Sequence, residues 1–217
     1  MGLLFSVPWF CDSEYRVKPL LEAPLRATFS PQALNSCLIN SARKYIMREA
    51  NMGGYKTEDI ERIVNEQLGE NPVFPVEVVK IANKLGYRIF YLEKDVGKRS
   101  IAGKVDHKGQ SIFVRPSDPV QRQRFTIAHE TGHILLHGNK GKNTHFRDDK
   151  DIKVAVYSDN IEEIEANKFA AMLLMPDFEF KRMWGHCNGA IEDIADYFNV
   201  SRLATAIRAN TLGFIQL

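Results

Sequence analysis

Cysteine is scarce in this chain: Cys11, Cys37 and Cys187 are odd in number and never spaced C-x-x-C. That argues against a disulfide framework or a thiolate zinc site and fits a reducing cytoplasm. An excess of either charge is also missing. Lysine and arginine number 29 against 27 aspartates and glutamates, a net charge of +2, so no basic field draws the chain onto phosphate. No apolar run is long enough for a membrane-spanning helix. The apolar start, Met1 to Phe10, has no basic flank and contains Pro8, so it reads as a segment packed on a core rather than a signal peptide. Repeats and low-complexity tracts are absent. What is present is ordinary globular composition, 44% hydrophobic and 26% charged over 217 residues, which suits one domain with an extension.

Ser30-Pro31 reads as an N-cap and first helical residue, opening a helix over 30–50. Thr57 is the expected cap of a second helix, with Glu58, Asp59 and Glu61 in its first turn. A short helix over 76–85 stops at Gly86. Then the pattern turns β-branched and aromatic over 87–92, 100–105 and 111–115, which predicts a small antiparallel sheet. A helix starts at Asp118-Pro119 and runs to His137, followed by a polar, charged loop or irregular hairpin over 139–160. Helix returns over 161–175 and ends at Pro176, and two shorter helices over 191–198 and 202–211 close the chain. The fold class expected is α+β and mainly helical.

His129-Glu130-Thr131-Gly132-His133 is an H-E-x-x-H sequence. On a helix, four residues advance about 40° net and about 6 Å, so both imidazoles can reach one metal ion. Glu130 lies roughly 100° around from the first, off the ligand line but within reach of a water on the metal. That is the arrangement of a zinc site with a carboxylate general base. Phe125, Ile127, Ala128, Ile134, Leu135 and Leu136 flank the motif, which predicts a buried helix where polar groups need partners.

A hydrolytic zinc site takes three protein ligands. Candidates for the third are His137, His145, Asp148, Asp149, Asp151, Glu162, Glu163, Glu165 and His186. His137 continues the ligand row but sits at the helix end, where it suits a cap or a residue supporting a ligand from behind. On the helix over 161–175, Ala166, Phe169, Ala170, Leu173 and Leu174 form one apolar arc. Glu163 lies inside that arc, Glu162 falls on it nearer Phe169, and Glu165 sits at its edge. Asn167, four residues after Glu163, is placed to hold a ligand by hydrogen bonding. The wheel leaves Glu162 and Glu163 both open.

Residues 124–137, RFTIAHETGHILLH, and 163–176, EIEANKFAAMLLMP, together resemble the ImmA/IrrE family of zinc metallo-endopeptidases, whose second motif reads E-x-x-A-N-x-F-A-A-x-L-L-M-P. The resemblance implies a gluzincin-like domain over 71–217 that binds one zinc ion per chain. His129, His133 and Glu163 would be its ligands, Glu130 the catalytic base, and residues 1–70 a helical extension outside the family pattern. It also implies a protein substrate, namely a helix-turn-helix repressor or similar regulator.

Residues 190–212 read as a helix-turn-helix-like hairpin. Its second helix offers only Arg202 and Arg208 as basic residues, and its first carries Glu192, Asp193 and Asp196, too little positive charge for phosphate. The hairpin is therefore expected to pack on the domain, with direct nucleic-acid binding not expected. The competing function is a DNA-binding or partner-binding regulator of toxin–antitoxin type with a structural metal.

Overall fold

The computed structural model describes residues 54–92, 101–138, 144–148 and 160–216. The expected helix over 30–50, the apolar start, Cys11, Cys37, Asp149 and Asp151 lie outside the described residues.

Helix α1 spans Thr57–Leu68, with Glu58 and Asp59 in its first turn, where the helix dipole favours acids. The cap position falls on Lys56, not on Thr57; the Thr57 hydroxyl instead accepts a bond from Lys168 Nζ at 2.8 Å. Ile60 and Val64 point into the common core, exposed by 0% and 1%. Helix α2, Val78–Lys84, buries Val78, Ile81 and Ala82 and leads into strand β1, Arg88–Tyr91.

Strands β2 (Ile101–Asp106), β3 (Ser111–Val114) and β4 (Thr144–Asp148) complete a four-stranded sheet in the order β1-β3-β2-β4. The expected antiparallel sheet is corrected to a mixed one. Strand β2 is antiparallel to both β3 and β4, but β1 runs parallel to β3, with Ile89 opposite Ile112. After β1 the chain re-enters the sheet one position further on, and the return strand of the β2–β3 hairpin fills the gap beside β1. Strand β4 falls inside the stretch expected to be a loop or irregular hairpin. Its charged residues conceal a strand, and it gives the outer edge of β2 the backbone partners that edge requires.

One face of the sheet, with Val105, Ile112 and Val114 at 0% exposure, packs on helix α3, Val120–His137. Gly103 brings β2 unusually close to that helix. A Cβ there would stand 2.3 Å from Thr126 Cγ2 and 3.1 Å from Glu130 Oε1. Helix α4, Ile161–Leu174, begins at Asn160, whose side chain accepts the Glu162 N–H. Helices α3 and α4 pack more extensively than any other two elements.

Pro176 ends α4 and also opens α5, Asp177–His186, a helix the sequence pattern does not announce. A proline lacks the N–H that a helix start leaves unused, so one residue serves as stop and start. Helices α6 (Ile191–Phe198) and α7 (Arg202–Thr211) form the expected hairpin, with Asn199 left-handed at the turn and Ser201 capping α7 through Ala204 N. Phe180 of α5 stacks on Phe198 of α6, centroids 6.0 Å apart. Arg208 is turned inward, bonded to Met175 O at 3.0 Å and to Asp177. Arg202 approaches Glu192 at 3.8 Å. Among the described residues, no helix is long and apolar enough to cross a membrane.

Gly103→Ala tests the close approach of β2 to α3. Thr126 is fully buried and has nowhere to move, so denaturant melts should show a loss of about 1–3 kcal/mol. An unchanged melt contradicts that packing.

Candidate metal centre

The site is built where α3 and α4 touch. Gly132, the residue before the second histidine of the H-E-x-x-H segment, faces α4 so closely that a Cβ would lie 3.1 Å from Ala166 Cα and 3.1 Å from Phe169 Cδ1. The small residues Gly132 and Ala166 let the two backbones approach, and the polar side chains flanking them meet across the seam. His129 and His133 are each 1% exposed.

Their Nε2 atoms stand 3.0 Å apart. Glu163 Oε2 is 3.3 Å from His129 Nε2, and Glu163 Oε1 is 3.1 Å from His133 Nε2. Three donor groups therefore form a triangle whose nearest atoms stand 3.0 to 3.3 Å apart, each imidazole nitrogen meeting a different oxygen of the Glu163 carboxylate. Ligand atoms on a tetrahedral zinc with bonds of about 2.0–2.1 Å stand about 3.4 Å apart. Two imidazole nitrogens aimed at each other beside a carboxylate repel unless a cation or proton lies among them, so the donor set fits a metal ion. His129, His133 and Glu163 are the only such group among the described residues.

Asn167 Oδ1 lies 2.9 Å from His129 Nδ1. A carbonyl oxygen only accepts, so His129 carries its proton on Nδ1 and presents the Nε2 lone pair to the triangle. Glu130 is 1% exposed and lies on the β2 side of α3, beside Gly103. Its charge acts on His133.

Burial pulls the His133 pKa down, but the Glu163 hydrogen bond and the Glu130, Glu163 and Glu162 charges outweigh that and raise it above the usual 6.5. Burial likewise pushes the Glu163 carboxyl up, yet bonding to His129 and His133 holds it well below the usual carboxylate range.

The other residues singled out by sequence fall elsewhere. Glu162 is half-buried in the first turn of α4 and outside the triangle. His186 is exposed on α5. Asp148 and His145 lie on β4, whose side chains are outside the described ones. Glu165, expected at the edge of the apolar arc, is 6% exposed. The arc was drawn too narrow, because α1 covers a second face of α4. Glu165 Oε2 lies 3.2 Å from His137 Nε2, and the His137 ring packs 5.8 Å from that of His133. Tyr55, which also holds Glu165, carried no sequence signal, because it stands 110 residues away.

Two imidazoles and a carboxylate converging from a helix pair, with a further buried glutamate beside the first imidazole, make the frame of a metal-dependent hydrolase. The chain belongs to the metallopeptidase family described as the IrrE N-terminal-like domain, which it matches over residues 82–210. His129, Glu130, His133 and Glu163 all fall inside that span. The chain is 31% identical to Metallopeptidase ImmA of Bacillus subtilis (strain 168) over 131 residues, 58% of this chain and 72% of that protein. Its fold is similar to that of a Mycobacterium tuberculosis transcriptional regulator, with a TM-score of 0.51 at 17% identity. That likeness covers 81% of this chain and 52% of the other, so this chain spans about half of it, and the likeness is one of fold alone.

The two pKa shifts fix a pH dependence. The raised imidazole stabilises the metal-free fold below pH 6.5 and gives that up as pH climbs through its raised value. The lowered carboxylate stabilises it above 4.5 and gives that up as pH falls toward its lowered value. In chelator, the stability advantage of the wild type over Glu163→Ala should therefore peak between pH 4.5 and 6.5 and shrink above. Metal affinity at a site that includes His133 should run the other way and rise with pH, because such binding would displace the imidazole proton. Melting curves across pH check the first and metal titrations the second; an advantage that grows toward alkaline pH contradicts both assignments.

Proposed function

We propose that this protein is a zinc-dependent endopeptidase whose ligands are His129, His133 and Glu163. The observation that carries the reading is the convergence of two buried imidazole nitrogens and the Glu163 carboxylate, with Glu130 one residue from His129. Zinc in such a site supplies Lewis acidity, polarising a peptide carbonyl and acidifying water. Glu130 takes the proton of the attacking water and later delivers it to the leaving amine. Its burial beside Gly103 keeps the carboxylate in one place while this happens. Asn167 fixes the His129 ring from behind.

The catalytic unit would be 71–217, gluzincin-like in its ligand set, with α1 as the part of the 1–70 extension that packs upon it. The family resemblance supports a helix-turn-helix repressor or similar regulatory protein as the substrate. The regulator reading rests on α6 and α7. Arg208 is spent inside the domain and Arg202 lies near Glu192, so that hairpin offers phosphate little charge. Incubation with helix-turn-helix repressors from the same organism, with and without chelator, tests the substrate: a discrete, chelator-sensitive cut in one of them is expected, and repressors all left intact at full metal loading overturn it.

Glu130→Gln separates chemistry from binding. It removes the base and no ligand, so metal content and melting temperature should hold while the cleavage rate falls about 100- to 10,000-fold. Cleavage at wild-type rate would remove Glu130 from the mechanism.

Glu163→Ala and Glu162→Ala separate the two acids that the helical wheel left open. Isothermal titration with zinc should show a large loss of affinity in the first and almost none in the second. The reverse result would shift the ligand set by one residue.

A further inference from the structure

One turn along α3 from the ligand triangle lies a second buried imidazole–carboxylate pair that the proposed chemistry does not use. His137 and Glu165 are 3% and 6% exposed and 3.2 Å apart. His137 follows His129 and His133 on the same row of α3, and Glu165 follows Glu163 by two residues on α4. The chain just before α1 closes over this pair. Tyr55 donates its backbone N–H to Glu165 Oε1, and its hydroxyl donates to Leu136 O at 2.9 Å. Its ring meets the His137 ring edge-on at 6.0 Å. One turn further along α4, Lys168 Nζ donates to Thr57 Oγ1 at 2.8 Å. One short segment is thus bonded to α4 through Glu165 and Lys168, and to α3 through Leu136.

We propose that Glu165 and His137 are positioning residues which, clipped by Tyr55, hold α3 and α4 in the register that preforms the ligand triangle. The inference rests on the metal reading above. Donor groups gathered to 3.0–3.3 Å across a helix seam must keep their geometry to within about 0.5 Å to serve one metal. With neither a metal nor a shared proton among them, two imidazoles and a carboxylate repel, so they do not hold that register by themselves. A buried polar pair adds little net stability over apolar residues of the same size, and the best-attested use of such groups is to fix register. The pair sits where register matters, with the His137 ring 5.8 Å from that of His133. It reaches the metal through helix position rather than through contact.

Cobalt titration of the full chain tests this, because the visible spectrum of bound cobalt reports ligand geometry independently of activity. The wild type should take up one cobalt per chain with an intense tetrahedral spectrum. Glu165→Ala should bind cobalt about 10- to 100-fold more weakly with a weakened or shifted spectrum. Glu165→Gln, which still accepts the Tyr55 N–H, should restore both to near wild type. Lowered thermal stability in Glu165→Ala with unchanged cobalt affinity and spectrum would make the pair merely structural and overturn the inference. If Glu165→Ala does not fold, Tyr55→Phe decides, since it removes only the hydroxyl bond to Leu136. A roughly fivefold loss of affinity, equivalent to one ordinary hydrogen bond, with a changed spectrum supports the clip, and no change overturns it. A wild type that takes up no cobalt overturns the metal reading itself and the clip with it.

Discussion

The fold turns on one requirement: two imidazole nitrogens and a carboxylate must be held within 3.3 Å of one another in the seam between α3 and α4. Burial makes this costly without a cation and potent with one, since charge interactions strengthen as water is excluded. Everything that lets the two helices meet closely serves it. Gly132 faces Ala166 so that the backbones can approach. Asn167 orients the His129 ring from α4. The sheet closes the other side of α3, and Gly103 on β2 sets a wall against Glu130. The candidate ligands and Glu130 thus face different neighbours, as the proposed division of tasks requires.

Helices α5, α6 and α7 share the hydrophobic core of α4. Phe169, Leu173 and Leu174 of α4 are fully buried, as are Phe180 of α5 and Phe198 of α6. Arg208 of α7 ties back to Met175 and Asp177, at the junction of α4 and α5. The C-terminal hairpin is thereby tied to the C-terminal end of α4. Tyr197 of α6 adds a bond to Glu179 of α5, which Arg182 also grips.

Much of the site was legible because its chemistry repeats at helical spacing. His129, Glu130 and His133 follow from the turn of a helix, and the alanines of α4 announce a close contact. The choice of Glu163 over Glu162 was not legible from the wheel, since adjacent residues on a first turn both border an apolar arc. Glu165 was misplaced because α4 is covered on more than one face, by α3 and by α1, and a single-arc reading assumes one. The parallel pairing of β1 with β3 depends on where the chain re-enters the sheet, which no local pattern encodes. Strand β4 was hidden by its charges, and α5 by a proline read only as a stop. Tyr55 could not be found, because its partners are distant in sequence.

X-ray absorption at the zinc edge of the loaded protein tests the central claim most directly. The account predicts one zinc per chain bound only by nitrogen and oxygen at about 2.0–2.1 Å, with imidazole scattering from two histidines that is lost in a His129→Ala, His133→Ala variant. A sulfur scatterer at about 2.3 Å, or imidazole scattering that survives in that variant, would place the metal elsewhere and contradict it.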